Sequence, residues 1–179
     1  TRDIADIAAA CDVKPVEKLA MIQARAFLGL LSKPGPEPYW KTRHQGACRE
    51  IFFLNTLDRA QDFVQACREE CDGQGFAESD LGIYIQPIQQ GRNVHIEFDL
   101  MYNPEDPAAT ERMKTLYRNI STGASELGGF FSRPYGLWSD LAYTKCPDTV
   151  KALGKVKSIL DPSGIMNPGK LCFGKETRL

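Results

Sequence analysis

The most regular pattern in the chain is an alternation of apolar and polar residues from Asn93 to Tyr102. Successive side chains of a strand point to opposite faces of a sheet, so this pattern predicts a strand with one apolar and one polar face. The apolar face is formed by Val94, Ile96, Phe98 and Leu100, and the polar face by Asn93, His95, Glu97 and Asp99. A half-buried antiparallel strand with a solvated face explains the pattern. The alternative is that His95 and Glu97 face a ligand.

The segments around this strand predict a β-α-β-β-α-β order. The predicted strands are residues 49–56, 83–88, 93–102 and 130–133, and the predicted helices are residues 58–71 and 107–127. A tight turn at Gln89-Gln90-Gly91 joins the two middle strands, and Gly128-Gly129 ends the second helix. This order is that of the ferredoxin-like unit, an α+β fold with a four-stranded antiparallel sheet and both helices on one face.

The flanking segments are predicted to be largely helical. Apolar spacing predicts two helices within residues 2–32, the second opened by Pro15, and three prolines within residues 33–39 predict an extended linker. Two further helices, residues 135–145 and 148–160, precede a tail rich in glycine and proline. The chain therefore divides into three parts: residues 1–45 with the N-terminal helices and linker, residues 46–134 with the ferredoxin-like domain, and residues 135–179 with the C-terminal helices and tail.

Composition and charge narrow the class of protein. With 179 residues, 42% of them hydrophobic and 25% charged, the chain can bury one substantial core. The net charge of -1, with both signs interspersed, does not favour nucleic acid or an anionic membrane as partner. The apolar run at residues 26–31 is too short to span a bilayer, and the N-terminus lacks the order of a secretory signal. A cytoplasmic protein is expected.

The six cysteines contain no CxxC pair, so free thiols in a reducing compartment are expected. Cys67 and Cys71 are spaced to share one face of a helix. Two thiolates supply only half of a zinc site, and no metal is predicted.

The tail carries the most specific motif. Asp161-Pro162 stops a helix, Gly164 permits a positive φ, Asn167-Pro168-Gly169 forms a second turn, and Lys170 adds a positive charge. Taken alone, this pattern is typical of a turn-rich surface tail. Together with the preceding elements, residues 161–170 closely resemble the DPNGIxxPGK ending of FAD-linked oxidoreductases of the vanillyl-alcohol oxidase / p-cresol methylhydroxylase superfamily.

The resemblance implies a fold and a function. Members have an FAD-binding domain and a cap domain whose open sheet face covers the flavin ring, so residues 46–134 would be the cap. The cofactor would be FAD, and the partners an FAD-binding domain or subunit outside this chain and a small organic substrate. The enzyme would transfer hydride from an alcohol, hydroxy acid or alkylphenol to flavin N5. Because no glycine-rich flavin-binding segment occurs here, we expect the chain to be part of a larger enzyme and inactive by itself. The enzyme is also expected to be a homo-oligomer.

The resemblance also implies roles for individual residues. Arg133 matches the arginine of a Tyr-Arg pair that stabilises anionic substrate and reduced flavin in the phenol-oxidising branch. Ser132 stands where that branch has tyrosine. Either Tyr135 replaces this tyrosine in substrate binding, or the substrate is not a p-hydroxylated aromatic compound. In the tail, Asn167, Gly169 and Lys170 are expected to contact the cofactor.

His95 lies on the strand where some relatives carry a histidine bound covalently to the flavin and others a histidine near the substrate carboxylate. His95 and Glu97 are candidate proton acceptors. Trp40 is a candidate for the substrate pocket, and His44 is expected to be an exposed loop residue. The second functional hypothesis is a freestanding ferredoxin-like module that binds a small ligand or forms oligomers without catalysis.

Overall fold

The computed structural model describes residues 2–16, 18–19, 22–32 and 40–173. The chain forms two compact units, residues 1–38 and residues 39–179. The predicted linker at residues 33–39 lies outside the described residues. Within the described part of the chain, no helix is both long and apolar enough to cross a bilayer.

The first unit contains helices α1 (Arg2–Ala10) and α2 (Ala24–Ser32). Between them, strands β1 (Lys18–Leu19) and β2 (Ile22–Gln23) pair in antiparallel fashion. The first predicted helix is confirmed. The prediction that a second helix opens at Pro15 is wrong, because backbone hydrogen bonding between the two short strands delays the helix until Ala24.

The second unit combines an antiparallel sheet with helices. Its elements are β3 (Ala47–Asn55), α3 (Ala60–Gly73), β4 (Leu81–Ile88), β5 (Asn93–Tyr102), α4 (Pro107–Glu126), α5 (Leu137–Tyr143) and α6 (Pro147–Leu160). The strand order is β3-β5-β4, and both pairs are antiparallel. The α+β class is therefore confirmed.

The predicted fourth strand at residues 130–133 is wrong. Phe130 forms a single antiparallel bridge with Leu54, in which two backbone hydrogen bonds of 2.9 Å run in opposite directions. The chain bends at Ser132 and Arg133, and Pro134 has no N–H with which to extend a ladder. The described sheet consequently has three strands, and the complete ferredoxin-like arrangement is not confirmed.

Turn and cap chemistry fixes the boundaries of the central elements. Gln89, Gln90 and Gly91 have φ values of 49°, 60° and 80° in the turn between β4 and β5, a left-handed conformation that suits a tight connection. The Asp106 carboxylate accepts a hydrogen bond of 2.9 Å from the Ala108 N–H at the start of α4, where Pro107 is the first helical residue. The turn at residues 89–91 and helix α4 are therefore confirmed close to their predicted bounds.

The core lies on one face of the sheet. The four apolar residues of β5 that were predicted to point inward are no more than 1% exposed: Val94, Ile96, Phe98 and Leu100. Buried residues of β3, α3 and α4 belong to the same cluster: Ile51, Phe53, Phe63, Cys67, Met113, Leu116 and Ile120. Both long helices therefore contribute to a core on the apolar side, and the polar residues of β5 lie on the other side.

All six cysteines lie in the described part of the chain, and none of them forms a disulfide there. Cys67 and Cys71 are buried on the core side of α3, and the proximity of the two thiols raises the pKa of Cys67 and lowers that of Cys71. They act as packing residues, as the helical spacing predicted.

Leu116→Ala is expected to destabilise the second unit strongly. The Leu116 side chain is fully buried, so its truncation should leave a cavity and lower the free energy of unfolding by about 2 to 5 kcal/mol. Urea denaturation measures this change. Leu57→Ala is the matched control because Leu57 is 54% exposed, and its effect should stay within about 0.5 kcal/mol. Equal losses in the two variants would contradict the core assignment.

Candidate functional site

The face of the sheet opposite the core carries the candidate site, and we call it the open face. Strand register brings its residues into rows that run across β3, β5 and β4. These rows are Glu50, Asp99 and Gly82; Phe52, Glu97 and Tyr84; and Leu54, His95 and Gln86. Residues of three strands therefore surround His95 and Glu97.

A lysine ammonium lies over the acidic end of the open face. Lys41 belongs to the short helical turn Trp40–Thr42, and its side chain is 6% exposed. Its Nζ lies 2.6 Å from Glu50 Oε1 and 2.7 Å from Asp99 Oδ1, and it also pairs with Glu97 Oε1. Oxygens of these three carboxylates lie within 4.8 Å of one another, and the positive charge among them comes from the lysine.

The surroundings shift the pKa values of these groups in opposite directions. Burial disfavours the charged form of Lys41, but hydrogen bonds to Asp99, Glu50 and Glu97 outweigh it and raise the pKa of the ammonium. Burial likewise acts to raise the pKa of Glu97, but hydrogen bonds from Lys41 and His95 hold it below its ordinary value. For Asp99, burial is the largest effect, and its pKa is raised.

Cys48 lies beside this cluster on β3. Burial, together with the negative charge of Asp99, raises the pKa of its thiol to about 12. The thiol therefore stays protonated at neutral pH and is not a nucleophile.

His95 is held by one hydrogen bond and two aromatic neighbours. Its Nε2 lies 3.0 Å from Glu97 Oε2. The ring stacks on Phe52 with centroids 5.8 Å apart, and the edge of Tyr84 approaches it at 6.1 Å. Its side chain remains 16% exposed, so the ring is fixed but can still be reached from the open face.

Arg133 reaches the same aromatic platform from the segment after α4. Its Cζ lies 4.6 Å from the centroid of the Phe52 ring, a cation–π distance. The edge of Trp138 also contacts Phe52, with centroids 4.9 Å apart. The structure thus brings Arg133, His95 and Glu97, the three predicted catalytic residues, together around Phe52.

The other predicted substrate-binding residues are placed less centrally. Tyr135 is 60% exposed. Trp40 begins the turn that carries Lys41, but its side chain lies outside the described part of the structure. His44 is exposed and pairs with Asp80 at 2.8 Å, so it belongs to the loop surface, as predicted.

Sequence reasoning missed Lys41, Phe52 and Tyr84. Phe52 could have been found, because alternation along β3 points it away from the buried Phe53. Lys41 carried no such signal, since its partners are brought together by tertiary contact between a turn and two strands.

The tail is organised around the buried carboxylate of Asp161. Its two oxygens accept hydrogen bonds from the Ile165 N–H at 2.9 Å and the Met166 N–H at 3.0 Å. Lys157 Nζ lies 2.5 Å from Asp161 Oδ2 and donates to the Met166 carbonyl at 2.6 Å. The hydrogen bond from Lys157, followed by those from the two amides, lowers the pKa of Asp161.

Beyond this anchor the tail presents exposed residues. Asn167 and Gly169 have φ values of 47° and 72°, which turn the chain back twice. Asn167, Gly169 and Lys170, the predicted cofactor-contacting residues, are exposed. Large apolar side chains nearby are also exposed, among them Ile165 at 78% and Leu160 at 71%.

The helical side of the unit contains a separate groove. It lies between α3 and α4, encloses about 380 Å³ including space open to solvent, and is lined mainly by apolar residues such as Phe63 and Ile120. It belongs to the core side of the sheet and not to the face that carries Arg133 and His95.

Two comparisons relate this geometry to known proteins. A family model described as FAD linked oxidases, C-terminal domain, matches residues 55–171. Among solved structures, the chain resembles 4-ethylphenol oxidase from Gulosibacter chungangensis in an isoeugenol complex, with a TM-score of 0.55 and 18% identity. The match covers 73% of this chain and 25% of that chain, so the present chain corresponds to about a quarter of the oxidase's length. At this identity the likeness concerns the fold. A comparison with curated proteins gives no match.

Asp161→Ala is expected to release the tail. Without the carboxylate, the amides of Ile165 and Met166 lose their acceptor, and their hydrogen exchange should accelerate toward that of an unstructured segment. Asp148→Ala, at a side chain that is 95% exposed, is the matched control and should leave both amides protected. Unchanged protection in Asp161→Ala would show that the anchor lies elsewhere.

Acid should release the same anchor. The pKa of Asp161 is lower in the folded chain than in the unfolded chain. The carboxylate therefore stabilises the fold fully at pH values above the unfolded pKa of about 4, and this stabilisation is lost as the pH falls through the lower folded pKa. The amide resonances of Ile165 and Met166 should therefore shift together with a midpoint below about pH 4. A midpoint above that value would contradict the assignment.

Proposed function

Because the chain belongs to the FAD-linked oxidase C-terminal domain family, we propose that it forms the substrate-binding cap of an FAD-dependent oxidoreductase. The observation that carries the proposal is the cluster of Arg133, Phe52, His95 and Glu97 on the open face of the sheet. In this proposal the open face covers the site of reaction, and an FAD-binding domain supplies the opposite wall. The proposed cap is segment 46–134, between the N-terminal segment 1–45 and the C-terminal segment 135–179.

The residues of the open face fit a small substrate that carries or develops negative charge. Phe52 and Tyr84 offer flat apolar surface for an organic ring or chain. The guanidinium of Arg133 lies beside this surface and would balance charge on a phenolate, an alkoxide or a carboxylate. An alcohol, a hydroxy acid and an alkylphenol all meet this description.

His95 is the proposed proton acceptor. An imidazole titrates near neutral pH and can take the proton of a substrate hydroxyl. Glu97 would then balance the charge of the imidazolium through the Nε2 hydrogen bond. FAD, when bound, supplies the hydride acceptor at flavin N5.

The tail is the proposed link to the cofactor. Asp161 holds residues 165–166 in place, which leaves Asn167, Gly169 and Lys170 exposed beyond them. Lys170 offers a positive charge, and the backbone turn at Gly169 permits close approach of an anionic group. The exposed apolar side chains beside them would be covered by the FAD-binding domain.

Two further parts of the proposal concern the whole enzyme. The six cysteines, which form no disulfide in the described part of the chain, support a reducing, cytoplasmic location. Homo-oligomeric assembly stays a prediction.

Arg133→Ala is expected to lower kcat/KM of the complete flavoprotein on the order of 100-fold, because a preorganised positive charge is lost. Anaerobic bleaching of the flavin by a panel of alcohols, hydroxy acids and alkylphenols measures this loss. Arg133→Lys should recover part of it, since lysine keeps the charge but not the planar stacking.

The matched control for this experiment is Arg68→Ala. Arg68 is a half-exposed residue of α3 that pairs with Glu78 at 2.9 Å on the helical side, and its replacement should leave kcat/KM unchanged. Full activity of Arg133→Ala would show that Arg133 has no role in the reaction. A colourless, stable dimer without affinity for a flavin domain would favour the binding-module hypothesis.

A further inference from the structure

The Lys41 ammonium lies within the proposed site, but the proposed chemistry assigns it no role. Moving an ammonium out of water is costly unless several partners compensate it. Among the described residues, Lys41 has three carboxylate partners, contributed by two strands: Glu50, Glu97 and Asp99. Of these three, Glu97 is the one that also hydrogen-bonds to His95.

Glu97 bridges Lys41 and His95 through its two oxygens. Oε1 pairs with Lys41 Nζ, and Oε2 lies 3.0 Å from His95 Nε2. Because the lysine engages one oxygen, the carboxylate plane is held in an orientation that directs the other oxygen at the imidazole. Rotation of the glutamate would break one of the two contacts.

This bridge determines which ring nitrogen of His95 carries hydrogen. An ionised carboxylate can only accept hydrogen bonds, so His95 Nε2 must be the donor. In the neutral ring Nδ1 is then the nitrogen with a free lone pair. Phe52 and Tyr84 fix the plane of the ring, and the hydrogen bond to Glu97 favours the one of its two flipped orientations that places Nε2 at the carboxylate.

We propose that Lys41 is a positioning residue: it holds the Glu97 carboxylate, and Glu97 holds His95 in the Nε2–H tautomer with Nδ1 available as the base. The assignment of the tautomer does not depend on the proposed function, whereas the use of Nδ1 as the base rests on it. In the reaction, the proton of the substrate hydroxyl would pass to Nδ1, and hydride would pass to the FAD from the carbon that is oxidised: the carbon bearing the hydroxyl in an alcohol or hydroxy acid, and the benzylic carbon in an alkylphenol. The imidazolium formed is balanced by Glu97.

The charges around Glu97 explain why lysine is needed. Lys41 and a protonated His95 favour a negative charge at Glu97, and Asp99, whose own pKa is raised, also acts to lower the pKa of Glu97. The nearby carboxylate of Glu50 repels that charge, and Tyr84 is the neutral cross-strand neighbour. Burial raises the pKa of Asp99 and acts in the same direction on Glu97, where the lysine and histidine hydrogen bonds outweigh it. Without Lys41, protons would be shared among the carboxylates, and a protonated Glu97 no longer requires a donor at Nε2.

The test is the tautomer of His95 in the chain itself, read from imidazole nitrogen chemical shifts in long-range NMR correlation spectra. The chain has two histidines, and the loop residue His44 serves as an internal reference. We expect the Nε2–H form for wild type and for Lys41→Arg, which keeps the charge. For Lys41→Met we expect at least a severalfold loss of that form, with the carboxyl titration of Glu97 moved to higher pH.

A second variant keeps the test decisive if Lys41→Met does not fold. Lys41→Met with Asp99→Asn removes the buried carboxylate that would be left without a counter-charge, and the same loss of the Nε2–H form is expected. Lys114→Met is the matched control, because this lysine of α4 is 64% exposed, and it should retain the wild-type spectrum. An unchanged His95 tautomer in the folded Lys41 variants would overturn the proposal.

The catalytic arm uses the complete flavoprotein. We expect Lys41→Met to lower kcat at least 10-fold with a smaller change in KM, and Lys41→Arg to restore most of kcat. Unchanged kcat in Lys41→Met of an active enzyme would overturn the role of the tautomer in catalysis. An inactive wild-type flavoprotein would count against the proposed function, and the NMR result would still decide the positioning role.

Discussion

The structure depends on the two-faced strand β5. Its apolar residues are buried against α3 and α4, and this burial fixes the register of the strand, because a slip of one residue would reverse every side chain. His95 and Glu97 are consequently held on the face that carries no helix from this core. The hydrophobic effect thus determines where the polar chemistry lies, and the loop after α4 needs only one bridge, between Phe130 and Leu54, to bring Arg133 to the same face.

The open face differs from an ordinary solvated sheet surface in how its charges are arranged. Its carboxylates surround a buried ammonium instead of projecting separately into water. Its aromatic ring, Phe52, contacts both an imidazole and a guanidinium. Pairing buried charges in this way requires that the side chains lose conformational freedom and hydration. In return, the side chains are already oriented before a ligand arrives. That property suits a face that closes over a reacting centre.

The sequence predicted the features that arise locally. Alternation identified both faces of β5, turn chemistry located the hairpin at residues 89–91, and the tail motif identified the family. Tertiary effects produced the errors: pairing of residues 18–23 displaced the second helix, and the bend before Pro134 reduced a predicted strand to a bridge. Lys41 was missed because its role exists only once a turn and two strands have met. The anchor function of Asp161 was also hidden, since the motif indicates a turn but not which side chain holds it.

We propose above all that the open face of this sheet covers the flavin of an FAD-dependent oxidoreductase. The most direct measurement is a crystal structure of the chain assembled with its FAD-binding domain and FAD. We expect the flavin ring to face β3 and β5, with Phe52, His95 and Arg133 lining the space between the ring and the sheet. A flavin that lies against the groove between α3 and α4, with the open face turned to solvent, would contradict it.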